Sequence, residues 1–372
     1  MDDFRDEEDE EMNFEDSCSI CEDFFDMNDE EPNPVPEDDE NLFERLSEEA
    51  NQKAMGVRTL IELFIFSLIS LENKALVQSQ RIQTSKAVMF MDGYGFLMIR
   101  LAMLHDPEDS MELELEHGNH RADDGYADVE QLVGLSLNSH YLERPKHRLQ
   151  DWIEHLRTTF NMNSIHIFFN SEFLEIYDLE DLRMIFEDIP KKTACMHFNL
   201  SNDQIHDVLV TFEIANLHLQ QVPKRTYLWF STVMDAKYKT LDLGHAEEFC
   251  ISDLPRIKAN KLIVSTPNID IQDINRYLSE WTRRMMNPRL KKLCLRILGH
   301  QVELNNFYDE VFVGIPTVEL ESTRIFPLQP NEDLEREKVT EGYDITRRNG
   351  TKATIQIDYH PNVLRIQMFV WS

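Results

Sequence analysis

A chain of 372 residues with 42% hydrophobic content is long enough to bury a sizeable core. Its formal net charge of −32 argues against nucleic acid or an anionic membrane as the main partner, because both surfaces repel it. Five cysteines in this length do not make a disulfide framework and point to a reducing compartment.

The charge is concentrated at the start. Residues 1–50 hold 23 acidic and 2 basic side chains, a balance of −21, against −11 over the remaining 322. Pro32, Pro34 and Pro36 interrupt the same stretch. Such a segment cannot repay the entropy of ordering, so residues 1–41 are predicted to be a disordered acidic tail. No basic stretch precedes an apolar run at the start, so no secretory signal is expected. The longest apolar run, Leu60 to Leu71, contains Glu62 and is too short to span a bilayer. The expected location is cytoplasmic and/or nuclear.

Asn41 to Lys53 reads as a polar helix. Leu60 to Leu76 follows as an apolar helix, with Ile61, Phe64, Ile65 and Leu68 on one face and Leu63 and Phe66 on its flank. Glu108 to Glu130 is acidic, holds His117, Gly118 and Gly125, and reads as a surface loop. Asp151, Trp152 and His155 begin an amphipathic helix. From Leu132 a pattern of apolar-x-x-apolar-x-apolar recurs. It appears at Leu132, Leu135, Leu137; at Met162, Ile165, Ile167; at Met196, Phe198; at Ile214, Leu217, Leu219; and at Tyr238, Leu241, Leu243. It returns at Leu262, Val264; at Leu290, Leu293, Leu295; and at Ile315, Val318, Leu320, in steps of 21 to 31 residues.

Helical candidates fill the gaps at Leu179–Ile189, Asn202–Phe212, Ala246–Ala259 and Ile271–Met285. This spacing predicts an α/β leucine-rich-repeat-like curved sheet with helices on the convex side. Against it, the Asn or Cys wanted after each strand occurs only at Asn170, and Tyr227–Phe230 reads as a strand outside the register, so a different α/β arrangement stays open. The C-terminus alternates on both sides of Asn349-Gly350 and adds a third strand from Leu364 to Trp371. This predicts an antiparallel closure that could cap the last repeat.

Little in the chain points to chemistry. Cys18 and Cys21 lack two further zinc ligands at suitable spacing. His117, His120 and Asp123 sit in a stretch with no fixed scaffold. Phosphate-cradling glycine loops and hydrolase or metalloprotease motifs are absent from the sequence. No metal, no cofactor and no enzymatic activity are therefore expected. The densest basic cluster, Arg283, Arg284, Arg289, Lys291 and Lys292, either complements a helix C-terminus or docks an acidic partner.

Two sets of residues carry a family resemblance. "DINRYLSEW" (Asp273 to Trp281), "NPRLKKLCL" (Asn287 to Leu295), "YDITRRNGTKATI" (Tyr343 to Ile355) and Trp371 resemble, in order, the nematode-type F-box proteins with a type 2 F-box-associated domain. Thr59 to Ser70 resembles the second helix of a divergent F-box, in which Leu46-Ser47 stands where that family has Leu-Pro. The resemblance divides the chain into a tail at 1–41, F-box-like helices at 42–90 and an F-box-associated, repeat-like domain at 91–372, best matched over 227–298.

It also implies a substrate-recognition subunit of an SCF-type cullin-RING ubiquitin ligase. A Skp-type adaptor would bind through Leu60, Leu63, Phe64, Phe66 and Leu68, and the repeat region would hold a target protein. The alternative is a non-ligase protein-binding scaffold with a decayed F-box, favoured by a thin apolar face in the preceding helix: Ala50, Ala54, Met55 and Val57.

Overall fold

The computed structural model describes residues 59–84, 87–91, 97–104, 109–117, 132–137, 140–142, 148–222, 228–283, 286–299, 304–326, 337–360 and 362–371. The expected acidic tail, the helix at Asn41–Lys53, Cys18, Cys21, His120, Asp123 and Arg284 lie outside these residues.

Two short helices come first, α1 (Leu60–Ile69) and α2 (Leu71–Ser79). The expected single helix breaks because Ser70 is extended and its side chain accepts from the Asn73 amide, capping a new start. Thr59 and Glu62 form a capping box at the head of α1. Strands β1 (Ala87–Met91), β2 (Leu97–Ala102), β3 (Ser110–His117), β4 (Leu132–Leu137) and β5 (His140–Leu142) follow, then α3 (Leu149–Phe160), β6 (Ser164–Phe169), α4 (Ser171–Ile176) and α5 (Leu179–Ile185). Next come β7 (Lys191–Met196), α6 (Asn202–Thr211), β8 (Asn216–Gln221), α7 (Leu228–Asp235), β9 (Thr240–His245) and a 3₁₀ turn at Ile251–Arg256. The chain continues through β10 (Lys261–Thr266), α8 (Ile271–Arg283), β11 (Lys292–Leu298), α9 (Leu304–Val311), β12 (Thr317–Glu319), β13 (Arg324–Phe326) and β14 (Glu337–Val339). It ends in β15 (Tyr343–Thr346), β16 (Lys352–His360) and β17 (Val363–Trp371).

Fifteen of these strands form one sheet in the order β12-β15-β16-β17-β11-β10-β9-β8-β7-β6-β1-β2-β3-β4-β5. The seven central strands, β1 and β6 to β11, run parallel. From β6 on they are sequence neighbours with helical or turn connections, as short crossovers favour. Antiparallel strands close both sides. The fold is thus mixed α/β around a large sheet with a parallel centre.

Register explains why the apolar triplets recur. Ile99, Met89, Ile167, Ala194, Leu217, Leu241, Leu262, Leu293, Met368 and Ile355 stand side by side across ten strands. All ten belong to the main core, together with the buried residues of the helices. One face of the sheet is therefore apolar and helix-covered, and the alternate residues face the other way.

Several expectations are corrected. Of the expected strand at Tyr227–Phe230, Leu228 to Phe230 are instead helical, at the start of Leu228–Asp235, and Tyr227 lies outside the described residues. Ala246–Ala259 forms only the 3₁₀ turn, which contains Pro255. The Glu108–Glu130 stretch includes strand β3. The triplets at Leu132 and Ile315 fall on β4 and β12, which pair antiparallel outside the parallel run. The C-terminal expectation holds: β15, β16 and β17 form a meander, Gly350 takes φ +86°, and β17 pairs antiparallel with β11.

Candidate interaction surfaces and the residues that shape them

The apolar residues of α1 mostly point inward. Leu60, Leu63, Phe64 and Phe66 are buried in the main core, and Leu68 is partly buried against it. Phe64 sits among Trp152 (6.1 Å), the edge of His155 (5.6 Å) and Phe160 (6.3 Å), ring to ring. Ser67 donates to the Phe64 carbonyl at 2.6 Å and lies 2.8 Å from His155 Nε2. The Leu60 amide donates to both oxygens of Asp109, at 3.0 and 3.2 Å, fixing the helix start beside β3. Leu60, Leu63, Phe64 and Phe66, expected to face an adaptor, are thus held inside the core. What α1 and α2 do present is a different set: Ile65, Ile69 and Leu71 are 37%, 59% and 86% exposed.

The basic cluster is also divided. Arg283, Arg289 and Lys291 are exposed. Lys292 is buried: its ammonium pairs with Glu337 and lies 5.2 Å from the Phe369 ring centroid. Burial holds its pKa below the ordinary 10.5, opposed by Glu337. Lys292 is thus an internal tie between β11 and β14.

The second face of the sheet is largely closed. Its rows carry His166, Thr193, Cys195, His218, Asp242, Ile263, Cys294, Gln367 and Gln356, all buried. His218 Nδ1 lies 3.4 Å from Asp242 Oδ2, with Cys195 in register beside His218. A thiol, an imidazole and a carboxylate thus lie on adjacent strands, all three buried. The Cys294 thiol is pushed up by burial, which disfavours a thiolate. No group of three or more His, Cys, Asp or Glu that could hold a metal occurs among the described residues.

At the C-terminal side, β13 and β14 fold over this second face and build a small core of Leu320, Phe326, Val339 and Phe369, with Trp371 against it. Arg324 grips Asp344 with both terminal nitrogens, at 3.1 and 2.8 Å. Thr354 donates to Asp344 at 2.6 Å, and the Trp371 indole donates to Thr354 at 2.8 Å. The terminal tryptophan is therefore the last member of a closed polar chain.

The words that carried the resemblance turn out to be joints of the scaffold. Asn275 Nδ2 donates to Val311 O and Val313 O, both at 2.9 Å, and so caps the far end of α9. Asn287 takes the left-handed conformation (φ +46°), and its Nδ2 donates to Leu254 O and to Ile257 O (3.1 Å), holding the 3₁₀ turn. Arg347, in the hairpin after β15, lies 4.1 Å from the Trp281 ring centroid. Its Nε donates to Trp281 O at 3.2 Å and its Nη2 to Met286 O at 2.7 Å. It thereby satisfies carbonyls that the end of α8 leaves open. The two separate words of the sequence thus meet in space.

Side chains bridge neighbouring turns in a similar way. The Ser171 amide donates to Asn199 Oδ1 at 3.2 Å, and the Phe198 amide to Gln220 Oε1 at 3.3 Å. A fixed offset from the strand finds only Asn170 for this role, whereas Asn199 and Gln220 fill it from other positions.

Residues 229–295, from α7 through most of β11, match the family described as F-box associated. No curated protein and no solved structure matches the chain. The chain thus carries an F-box-associated segment. Among the described residues no helix is long and apolar enough to cross a membrane.

Proposed function

We propose that the protein is the substrate-recognition subunit of an SCF-type cullin-RING ubiquitin ligase, acting in the cytoplasm and/or nucleus. The observation that carries this reading is the F-box-associated match over 229–295, on a chain that also carries the helices α1 and α2. In this role the protein has no catalytic residues of its own. It raises the effective concentration of a target protein beside the ubiquitin-bearing enzyme.

The Skp-type adaptor docks on the outward side of α1 and α2, through Ile65, Ile69 and Leu71, because these are the large apolar residues there that are exposed. Target recognition falls on exposed rims of the repeat-like domain, such as Phe198, which stands beyond β7 at 64% exposure.

The test is capture of a purified Skp-type adaptor by the full chain, beside an Ile65→Asp, Ile69→Asp variant with an unchanged unfolding transition. Capture by the parent and loss in the variant supports the ligase role. No capture by the parent leaves the second reading, a protein-binding scaffold with a decayed F-box, which the burial of Leu60, Leu63, Phe64 and Phe66 favours.

A further inference from the structure

The large sheet ends on one side in β12, whose outer side has no neighbouring strand among the described residues. The Leu320 amide donates to the Gly342 carbonyl at 2.9 Å. Val318 stands opposite Asp344 of β15, and Glu319 opposite Tyr343. Backbone groups alternate in direction along an antiparallel ladder. Leu320 and Val318 therefore bond inward, while Thr317 and Glu319 turn their N–H and C=O toward the open edge.

Both faces of this edge hold side chains that a further strand would meet. Val318, on the second face, is 65% exposed. On the apolar face Glu319 stands beside Tyr343, and Tyr343 lies against Tyr308 (5.4 Å) and Phe312 (5.3 Å), ring to ring. The three rings are half-buried, and the Tyr308 hydroxyl donates to the Ile357 carbonyl at 3.2 Å. Burial pushes the Tyr308 phenol up, and Tyr343, Glu341 and Asp358 add to the shift, which puts Glu341 within electrostatic range of the rings. Asp358 is engaged by Arg365. Glu319 and Glu341 are exposed and in no ion pair with a described residue.

A short edge strand preceded by Pro316 and carrying a charge is guarded against unwanted pairing. Protection alone does not account for Val318, an exposed β-branched residue between the two open backbone positions. The charge repels acidic strands and attracts basic ones, so the edge is selective rather than closed. We propose that β12 takes an extended basic segment of a partner protein as a further strand of the sheet. A lysine or arginine of that segment lies opposite Glu319, its cation among Glu319, Glu341 and the half-buried rings, and the next residue along covers Val318. The edge is separate from α1 and α2, so its failure would leave the adaptor reading untouched.

The test uses a fluorescent synthetic peptide of ~6–8 residues that alternates lysine with valine or threonine, titrated against the full chain by anisotropy. The same peptide with glutamate for lysine is the control. The lysine peptide should bind and the glutamate peptide should not; no binding of the first, or equal binding of both, overturns the proposal. A Glu319→Lys, Glu341→Lys variant should bind the lysine peptide at least several-fold more weakly. It shifts a net charge of −32 by only four units, so unchanged binding would mean attraction to the acidic chain at large and would remove the site. Thr317→Pro deletes an outward N–H without touching the inward ladder. It should also weaken binding several-fold with its unfolding transition unchanged, and binding equal to the parent would show that the peptide does not join the sheet.

Discussion

Replacing Arg347 with Met tests whether the joint between α8 and the C-terminal hairpin is a stability determinant. Arg347 is only 6% exposed and has two carbonyl acceptors. Each hydrogen bond from a charged donor is worth ~1.5–3 kcal/mol. Stacking on Trp281 adds ~0.5–2 kcal/mol. Against this stands the cost of holding a guanidinium away from water, the same cost that lowers its pKa. Methionine keeps much of the stem and contact with the indole but leaves the carbonyls of Trp281 and Met286 without a donor.

The expected net loss is ~2–4 kcal/mol, about the cost of breaking a buried polar network. Urea unfolding followed by far-ultraviolet circular dichroism should show a lower midpoint at an unchanged slope. Arg347→Lys should recover little, because an ammonium cannot reach both carbonyls and lie flat on the ring at once. Crossing Arg347→Met with Trp281→Leu should give a coupling of ~0.5–2 kcal/mol. A loss below ~0.5 kcal/mol for Arg347→Met would show that the carbonyls find other donors, and the joint would have no special standing.

Asn275→Ala removes two hydrogen bonds to the end of α9 and should cost ~1–3 kcal/mol, seen as faster amide exchange at Val311 to Ile315. Tyr277→Phe should be neutral or stabilising by up to ~1 kcal/mol, because the Tyr277 hydroxyl is buried without a partner and burial already raises its pKa. Lys292→Met leaves Glu337 without its ammonium and should lower stability at pH 7, by less than the ~3–5 kcal/mol of a fully buried pair because Glu337 keeps some solvent, and its pH dependence is the sharper test. The Lys292 pKa is lowered in the folded state, so from that value up to the unfolded 10.5 the unfolded chain binds more protons and wild type gains stability with rising pH. The variant should lack that gain. Tyr238, pushed up to about 12 by burial, acts in the opposite sense in both proteins, lowering stability as pH rises past 10. The readout is therefore the difference between the two unfolding curves from about pH 8 to 11.

How much of this was visible in the sequence depends on the range of the interaction involved. The strands β6 to β11 and the helix α8 announce themselves through local periodicity, because each must present its apolar side to one shared core. Leu228 to Phe230 misled because a short apolar run serves a buried strand or a buried helix equally well. Strands β1 to β3 were missed because they lie outside the strand-helix rhythm and pair antiparallel with one another, β1 joining the parallel strands only through β6. The face of α1 could not be assigned for a related reason: a helix apolar nearly all round does not say which side the core will take. Tertiary contact with Trp152 and Phe160, some ninety residues on, makes that choice.

The joints were the least legible of all. Asn275 reaches across 36 residues, Asn287 across 33 and Arg347 across 66, and nothing in their own neighbourhoods marks them as caps for distant elements. This has a consequence for function. Several residues in the words that make the chain resemble a family, Asn275, Trp281, Asn287 and Arg347, are occupied with one another and with the scaffold. On the proposed reading, target specificity falls on what those joints leave exposed, such as the rims beyond the parallel strands, where Phe198 stands. Substitutions at Phe198 should therefore change partner choice with little change in stability, and substitutions at Arg347 should do the reverse.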